Sequence, residues 1–171
     1  IKYLAFIAAV VQATDVPHFK INLSLEPEER FVEIQNTSKL DHRNVSGVYR
    51  VDSRANRHWV QLGELDRDFS QHEKYREIKG IANAINDTRM TMPKVVLVNS
   101  LYELESWCTS IIAKMQNGTI IHSRNLDFDN ASLMRTITYT ATFERDGKYL
   151  FDATMFAGTV GIYTGMRAGA F

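Results

Sequence analysis

The sequence predicts an α+β fold, because a charged, helical half precedes a half with the pattern of antiparallel strands. From Leu40 to Thr88, apolar residues recur at steps of three and four with charges between them, which is the spacing of amphipathic helices. After Cys108, alternating apolar and polar residues are divided by Asn117-Gly118 and Asp146-Gly147, two dipeptides that favour hairpin turns.

A second helix is predicted from Thr91 to Leu104, with Thr91 as its cap and Pro93 in its first turn, where proline is tolerated. Its apolar run is short and is interrupted by Asn99 and Ser100. A core helix is therefore favoured, and a lipid-facing helix is the alternative.

The predicted strands form one meandering antiparallel sheet behind the helices. The first hairpin joins Cys108–Met115 to Thr119–Phe128. Three further runs follow, at Arg135–Phe143, Tyr149–Phe156 and Thr159–Tyr163, and threonines alternate with apolar residues in the first of them.

The first residues have the order of a secretory signal peptide over 1–13. Lys2 precedes the apolar run Tyr3–Val11, and Val11-Gln12-Ala13 provides small residues at a cleavage spacing. The run is too short to span a bilayer, and a buried first strand is the alternative interpretation. The remainder, from about Thr14, is long enough for one ordinary core.

Sequons for N-glycosylation support a secretory route. Chance gives about 1.3 sequons at this content of Asn, Ser and Thr, whereas the chain carries six. We therefore expect a glycosylated surface and a lysosomal or secreted location. The six asparagines are Asn22, Asn36, Asn44, Asn86, Asn117 and Asn130.

Charge and histidine spacing exclude several classes of function. The net charge is zero, so nothing favours a nucleic-acid partner. The five histidines lie at 18, 42, 58, 72 and 122, and none has metal-ligand spacing to another histidine or to the cysteine. No metal and no cofactor are expected.

Cys108 is the only cysteine, so its thiol has no partner for a disulfide and no second thiol for a metal site. The second strand of its hairpin brings Arg124 and Asp127 back towards it. A two-residue turn at Asn117-Gly118 would place Asp127 opposite Cys108, and a three-residue turn with left-handed Gly118 would instead put Arg124 on the Cys108 face. A bulge near Asn125 would allow both charged residues to share one face.

The residues around this thiol resemble a known family. Leu101–Ala113, Gly118 and His122–Phe128 resemble the self-cleavage region of the acid ceramidase and N-acylethanolamine-hydrolysing acid amidase family. Pro17–Ser24 and Pro27–Phe31 look like the start of that family's α subunit, while Phe156–Gly161, followed by Thr164-Gly165, is similar to its early β subunit. The short step from Asp127 to Arg135 looks more like the N-acylethanolamine amidase branch.

The resemblance implies an N-terminal-nucleophile hydrolase with an αββα sandwich, only partly covered by this chain. It implies a cut between Trp107 and Cys108, after which the α and β pieces stay associated. Cys108 is then the nucleophile and its new α-amine the base, because an α-amine titrates near ~8 and a lysine near ~10.4. Asp127 is assigned to hold that amine, and Arg124 to supply positive charge beside the thiol and to fix Asp127.

The implied substrate is a lipid amide, foremost an N-acylethanolamine, with possible transient contact with a lipid surface. Ceramide or a bile-acid-like conjugate is the alternative substrate, and a non-enzymatic lipid-binding protein is the alternative function. The resemblance divides the chain at 14–107, an α-subunit-like helical segment, and 108–171, the start of a β-subunit-like sheet. The family's β subunit is much longer, so a truncated chain that is inactive and poorly soluble alone is expected.

Overall fold

The computed structural model describes residues 16–38, 40, 72–105, 107–127 and 131–169. The predicted signal peptide at 1–13 and most of the predicted helical pattern between Leu40 and Thr88 lie outside these residues. Within them, the chain combines helices with two sheets, which confirms the α+β prediction.

The strands form two separate sheets. A two-stranded antiparallel sheet consists of β2 (Trp107–Lys114) and β3 (Ile120–Asp127). The other sheet has the order β1-β4-β5-β6, and β1 is parallel to β4 while the remaining neighbours are antiparallel. Its strands are β1 (His18–Asn22), β4 (Thr138–Arg145), β5 (Lys148–Phe156) and β6 (Thr164–Met166).

Four α-helices and one short 3-10 helix are described. The 3-10 helix is Pro27–Glu29, and the α-helices are α1 (Val32–Asn36), α2 (Glu73–Ile85), α3 (Met92–Glu105) and α4 (Ala131–Thr136). The bounds of α3 confirm the helix predicted from Thr91 to Leu104 within one residue at each end.

The core lies on one face of the four-stranded sheet. Alternate residues of β1 and β4 point into it, as the two-residue period of a strand requires. Burying each such apolar side chain contributes roughly 1.5–3 kcal/mol. The sheet contributes Phe19, Ile21, Tyr139, Ala141, Phe143 and Met155, and the helices contribute Ile34, Ile78, Ile81, Val95 and Val98.

Helix α3 is a core helix, as predicted. Val95, Leu97 and Val98 are buried, and so is Asn99. The lipid-facing alternative is wrong, because these apolar residues are covered by the protein itself. None of the described helices is both long and apolar enough to cross a membrane.

Helix α2 packs closely on the segment that follows β1. Gly80 permits this contact, because a Cβ atom there would lie 2.0 Å from the carbonyl oxygen of Glu28. The helix ends at Ile85, and its cap Asn86 has a left-handed backbone (φ 44°) while its N–H donates to the carbonyl of Ala82.

Two arginine–glutamate clusters also fix α2 to this segment. Arg76 bridges Glu26 and Glu28, with Nη2–carboxylate distances of 2.6 and 2.7 Å. Arg30 pairs with Glu73 and Glu77, and its side chain is only 7% exposed. Arg30 also donates to the carbonyls of Leu23 and Leu25, so the buried guanidinium has four partners.

The prediction of one meandering antiparallel sheet is wrong. Strand β1 lies in the segment 14–107, which was expected to be helical, and it joins the sheet built from residues after 108. The predicted strand Thr159–Tyr163 is not a strand; β6 begins at Thr164 instead. The backbone N–H of Val160 donates to the side chain of Asn99, so it is not available to a ladder.

The strand predicted from Arg135 begins three residues later, at Thr138, because helix α4 occupies 131–136. The Thr136 hydroxyl donates to the carbonyl of Leu133, and the Thr138 hydroxyl donates to the carbonyl of Met134. These threonines therefore satisfy carbonyls at the helix end.

Candidate active site

A three-residue turn sets the register of the β2–β3 hairpin. The N–H of Met115 donates to the carbonyl of Thr119 at 2.8 Å, and Gly118 has a φ of +87°, which glycine adopts without strain. The side-chain oxygen of Asn117 accepts from the N–H of Thr119. Of the two registers left open by the sequence, the structure adopts the one with left-handed Gly118.

This register places the thiol beside an arginine. Cys108 lies opposite Leu126, so Arg124 projects from the same face two residues away. The guanidinium Nη2 of Arg124 lies 3.4 Å from the sulfur of Cys108, within hydrogen-bond distance for sulfur. The sulfur belongs to an exposed residue, and Arg124 is half-buried.

Asp127 lies on the opposite face of the hairpin. It is opposite Trp107, and its carboxylate accepts a hydrogen bond of 2.6 Å from the amide of Asn125 on its own strand. The ladder between residues 107 and 127 has no register shift, so it contains no bulge near Asn125 that would bring Arg124 and Asp127 to one face. The structure therefore brings Arg124 to Cys108 and aligns Asp127 with the residue before the thiol.

A hydroxyl and an imidazole continue the row of polar groups on the Cys108 face. The hydroxyl of Ser110 lies 2.9 Å from Nε2 of His122, and Ser110 is opposite Arg124 in the ladder. In the sequence, His122 stands out only as a histidine without metal-ligand spacing. Its position two residues before Arg124, on the same strand, was the available signal.

A cleft of about 430 Å³ opens next to the end of β3. This volume is within the range of small-molecule sites. Its walls come from β3, α4 and the threonine-rich face of the four-stranded sheet. The lining residues are Arg124, Asn125, Leu126, Asp127, Ala131, Met134, Arg135, Thr138, Thr154, Phe156 and Thr164.

Two of the three predicted catalytic residues, Arg124 and Asp127, line this cleft. The cleft residues of α4, β5 and β6 were missed, although the alternation of threonine and apolar residues in the run from Arg135 to Phe143 already indicated a hydroxyl-bearing face. Which residues of β5 and β6 would join that face depends on the order of the strands, which no local pattern encodes.

The candidate glycosylation sites fall in different settings. Asn36, Asn86 and Asn117 are exposed, while Asn22 is half-buried and accepts a hydrogen bond from the N–H of Ser24. Asn44 and Asn130 lie outside the described residues. Glycosylation of all six asparagines remains a prediction. Across the parts of the chain that are described, no group of three metal-binding side chains occurs.

The resemblance seen in the sequence extends over most of the chain. The chain is similar to enzymes of the acid ceramidase and N-acylethanolamine-hydrolysing acid amidase family over 90–97% of its length in several cases. This confirms the resemblance that the residues around Cys108 indicated. No family model matches the chain.

Three relatives illustrate the similarity. The mouse N-acylethanolamine-hydrolysing acid amidase is 30% identical over 97% of this chain, and the rat protein of that name is 31% identical over 91%. Bovine acid ceramidase is 32% identical over 91%. These identities do not separate the two branches. The chain spans 43–46% of the length of these three relatives.

Proposed function

We propose that this chain carries the nucleophile of a fatty-acid amide hydrolase that cuts its own backbone between Trp107 and Cys108. The observation that carries the proposal is the 3.4 Å contact between Arg124 and the sulfur of the only cysteine, at the start of an exposed hairpin. Positive charge at this distance favours a thiolate, which is the reactive form of a cysteine.

Self-cleavage begins with attack of the Cys108 sulfur on the carbonyl carbon of Trp107. A carbon–sulfur bond forms, the carbon–nitrogen bond breaks, and the nitrogen takes up a proton to become the α-amine of Cys108. Water then hydrolyses the thioester, so that Trp107 ends in a carboxylate and the thiol is restored. Asp127 supports this step, since the ladder places it opposite Trp107, level with the bond that breaks.

Turnover uses the same sulfur with the new amine as its base. The thiol gives its proton to the α-amine and attacks the carbonyl of the lipid amide, and the resulting ammonium protonates the departing amine. Water hydrolyses the acyl-thioester and releases the fatty acid. Asp127, held by Asn125, orients the ammonium, and Arg124 stabilises negative charge at the sulfur.

The structure contains a reason for the two pieces to stay together after the cut. Strand β1 precedes Cys108 and β4 follows it, yet they pair over five residues from His18 to Asn22. The same core contains buried residues from both sides of the cut, such as Ile81 and Tyr139. The separated pieces would share one sheet and one core, as an N-terminal-nucleophile αββα sandwich requires.

N-acylethanolamines are the first proposed substrates, because relatives named for their hydrolysis match 91–97% of the chain. Ceramide is the second candidate, since acid ceramidase from cattle matches it at a similar identity. The excess of sequons and the apolar N-terminal run support a lysosomal or secreted location.

The test is intact-mass analysis and N-terminal sequencing of the full-length protein after incubation at acidic pH. We expect two pieces, one of which begins Cys-Thr-Ser, and release of fatty acid from an N-acylethanolamine. Cys108→Ala should remain uncut and inactive, while Thr109→Ala, which alters the neighbouring residue, should be cut normally. An uncut wild-type protein that still hydrolyses amides would eliminate the mechanism.

A further inference from the structure

Arg135 lines the cleft, and its guanidinium is not bonded to any other described group. Of the charged residues that line the cleft, Arg124 contacts the Cys108 sulfur and Asp127 accepts from Asn125. Arg135 is exposed in the last turn of α4 and has no hydrogen-bond or ion-pair partner among the described residues. Its guanidinium is therefore available to a ligand.

The surroundings of Arg135 combine hydroxyl groups with an apolar wall. Thr154 and Thr164 are paired neighbours on β5 and β6, and their hydroxyls bond to no other described residue. The apolar wall is formed by Leu126, Met134 and Phe156. Such a site suits an amphiphile, with its alkyl part against the apolar wall and its polar end against the cation and the hydroxyls.

We propose that Arg135 forms a subsite for the carboxylate of a lipid, next to the catalytic residues. A guanidinium presents two parallel N–H groups that match the two oxygens of a carboxylate. Among the described residues that line the cleft are two arginines and one aspartate, so these groups together attract an anion rather than a cation. The lipid nature of the ligand rests on the proposed function, whereas the charge preference rests on the cleft alone.

The carboxylate has two possible sources. One is the fatty acid that amide hydrolysis releases, in which case Arg135 retains the product. The other is the headgroup of an N-acyl amino acid, in which case Arg135 selects the substrate. Both sources present the same chemistry to the guanidinium, and the experiment has one arm for each.

The first arm measures binding without turnover. In the full-length protein with Cys108→Ala, we compare dodecanoate with neutral dodecanol by calorimetry at low ionic strength. Adding Arg135→Gln should weaken dodecanoate about tenfold and leave dodecanol unchanged, because only the charged contact is lost. Adding Arg145→Gln, an exposed arginine at the opposite end of β4, is the matched control and should change neither. Equal affinity for dodecanoate with and without Arg135 overturns the proposal.

The second arm assigns the source in the active full-length protein. If Arg135 reads the headgroup, Arg135→Gln raises KM about tenfold for N-dodecanoylglycine and not for N-dodecanoylethanolamine. If it holds the product, the variant raises the inhibition constant of dodecanoate about tenfold and leaves both KM values unchanged. Arg135→Lys should restore part of either effect. No change in any of these constants defeats the subsite.

The two proposals fail in different ways. A protein that binds dodecanoate through Arg135 but hydrolyses no amide and remains uncut would defeat the proposed function and keep the subsite. Hydrolysis of both amides, with constants that do not depend on Arg135, would defeat the subsite and keep the proposed function.

Discussion

The β2–β3 hairpin and the four-stranded sheet are built from similar residues but have opposite surroundings. In the hairpin, Ile111 and Ile112 are 60% and 66% exposed although they point to opposite faces. In the sheet, Tyr139 and Met155 are completely buried beneath the helices. The candidate nucleophile lies in the exposed region, and most of the buried apolar surface lies in the other.

This difference separates chemistry from stability. A two-stranded hairpin by itself is at best marginally stable in water. Among the described residues, the hairpin's isoleucines Ile111, Ile112, Ile120 and Ile121 are exposed, so they contribute little to the hydrophobic core that these residues form. The core of the four-stranded sheet supplies free energy of unfolding and holds β1 to β4 across the proposed cut. Substitutions in the hairpin should therefore reduce activity, whereas substitutions in the core of the sheet should reduce stability.

The largest expected effect is loss of activity without loss of stability. Replacing Arg124 by Gln removes the positive charge 3.4 Å from the sulfur. By analogy with other charge-stabilising groups, turnover by the full-length protein should fall about 100- to 1,000-fold, while the unfolding free energy changes by less than about 0.5 kcal/mol. Steady-state kinetics and urea unfolding measure the two quantities.

Lys114→Gln is the control for this prediction, because it removes an exposed cation from the far end of the same hairpin. Its activity and stability should match those of the wild type. An Arg124→Gln protein that unfolds more easily but turns over normally would reverse the assignment of chemistry to the hairpin.

The next effect should be a loss of stability from the core region. The buried amide of Asn99 donates to the carbonyls of Val95 and Gly158 and accepts from the N–H of Val160, so it ties α3 to the loop after β5. Asn99→Ala leaves buried backbone groups without partners and should lower the unfolding free energy by about 2–4 kcal/mol.

Ser100→Ala tests whether this loss is specific. The half-buried hydroxyl of Ser100 bonds only to the carbonyl of Val96 within its own helix, so its removal should cost about 0.5 kcal/mol or less. Equal losses for the two variants, measured by urea unfolding of the full-length protein, would show that the connection to the loop is unimportant.

The smallest effect is a pH dependence at the Arg30 cluster. Burial raises the pKa of Glu77, although Arg30 opposes this, whereas the hydrogen bond from Arg30 lowers the pKa of exposed Glu73. Glu77 holds its proton more tightly when folded, so its contribution to stability is greatest below the unfolded pKa and declines as pH rises through the folded pKa. For Glu73 the contribution is present above the unfolded pKa and is lost as pH falls.

Two variants distinguish the opposite pH dependences of stability that Glu77 and Glu73 produce. Between about pH 4 and about pH 7, Glu77→Gln should gain stability relative to the wild type as pH rises, and Glu73→Gln should lose it. Both would be followed by thermal unfolding of the full-length protein in matched buffers. Slopes of the same sign for the two variants contradict the assignment of burial as the dominant influence on Glu77.

Local patterns predicted the features that depend on neighbours in the chain. The spacing of apolar residues and Pro93 predicted α3, and Asn117-Gly118 and Asp146-Gly147 predicted turns that the structure contains. The strand predicted at Thr159–Tyr163 failed for a nonlocal reason, because the side chain of Asn99 takes the N–H that a ladder would have used. The prediction that a strand begins at Arg135 was wrong, because threonine hydroxyls can bond to carbonyls at the end of a helix as readily as they can line a strand.

The sequence by itself determined that one thiol is present, that a hairpin returns Arg124 and Asp127 towards it, and that helix α3 precedes this hairpin. Only the tertiary structure decided that Arg124 shares the face of Cys108, that β1 pairs in parallel with β4, and that Arg135 borders the same cleft. The physical reason is that a turn is specified by adjacent residues. A shift of the strand register by one residue moves every side chain of that strand to the other face of the sheet. Contacts such as that of His18 with Thr140 depend on how the core packs rather than on any local pattern.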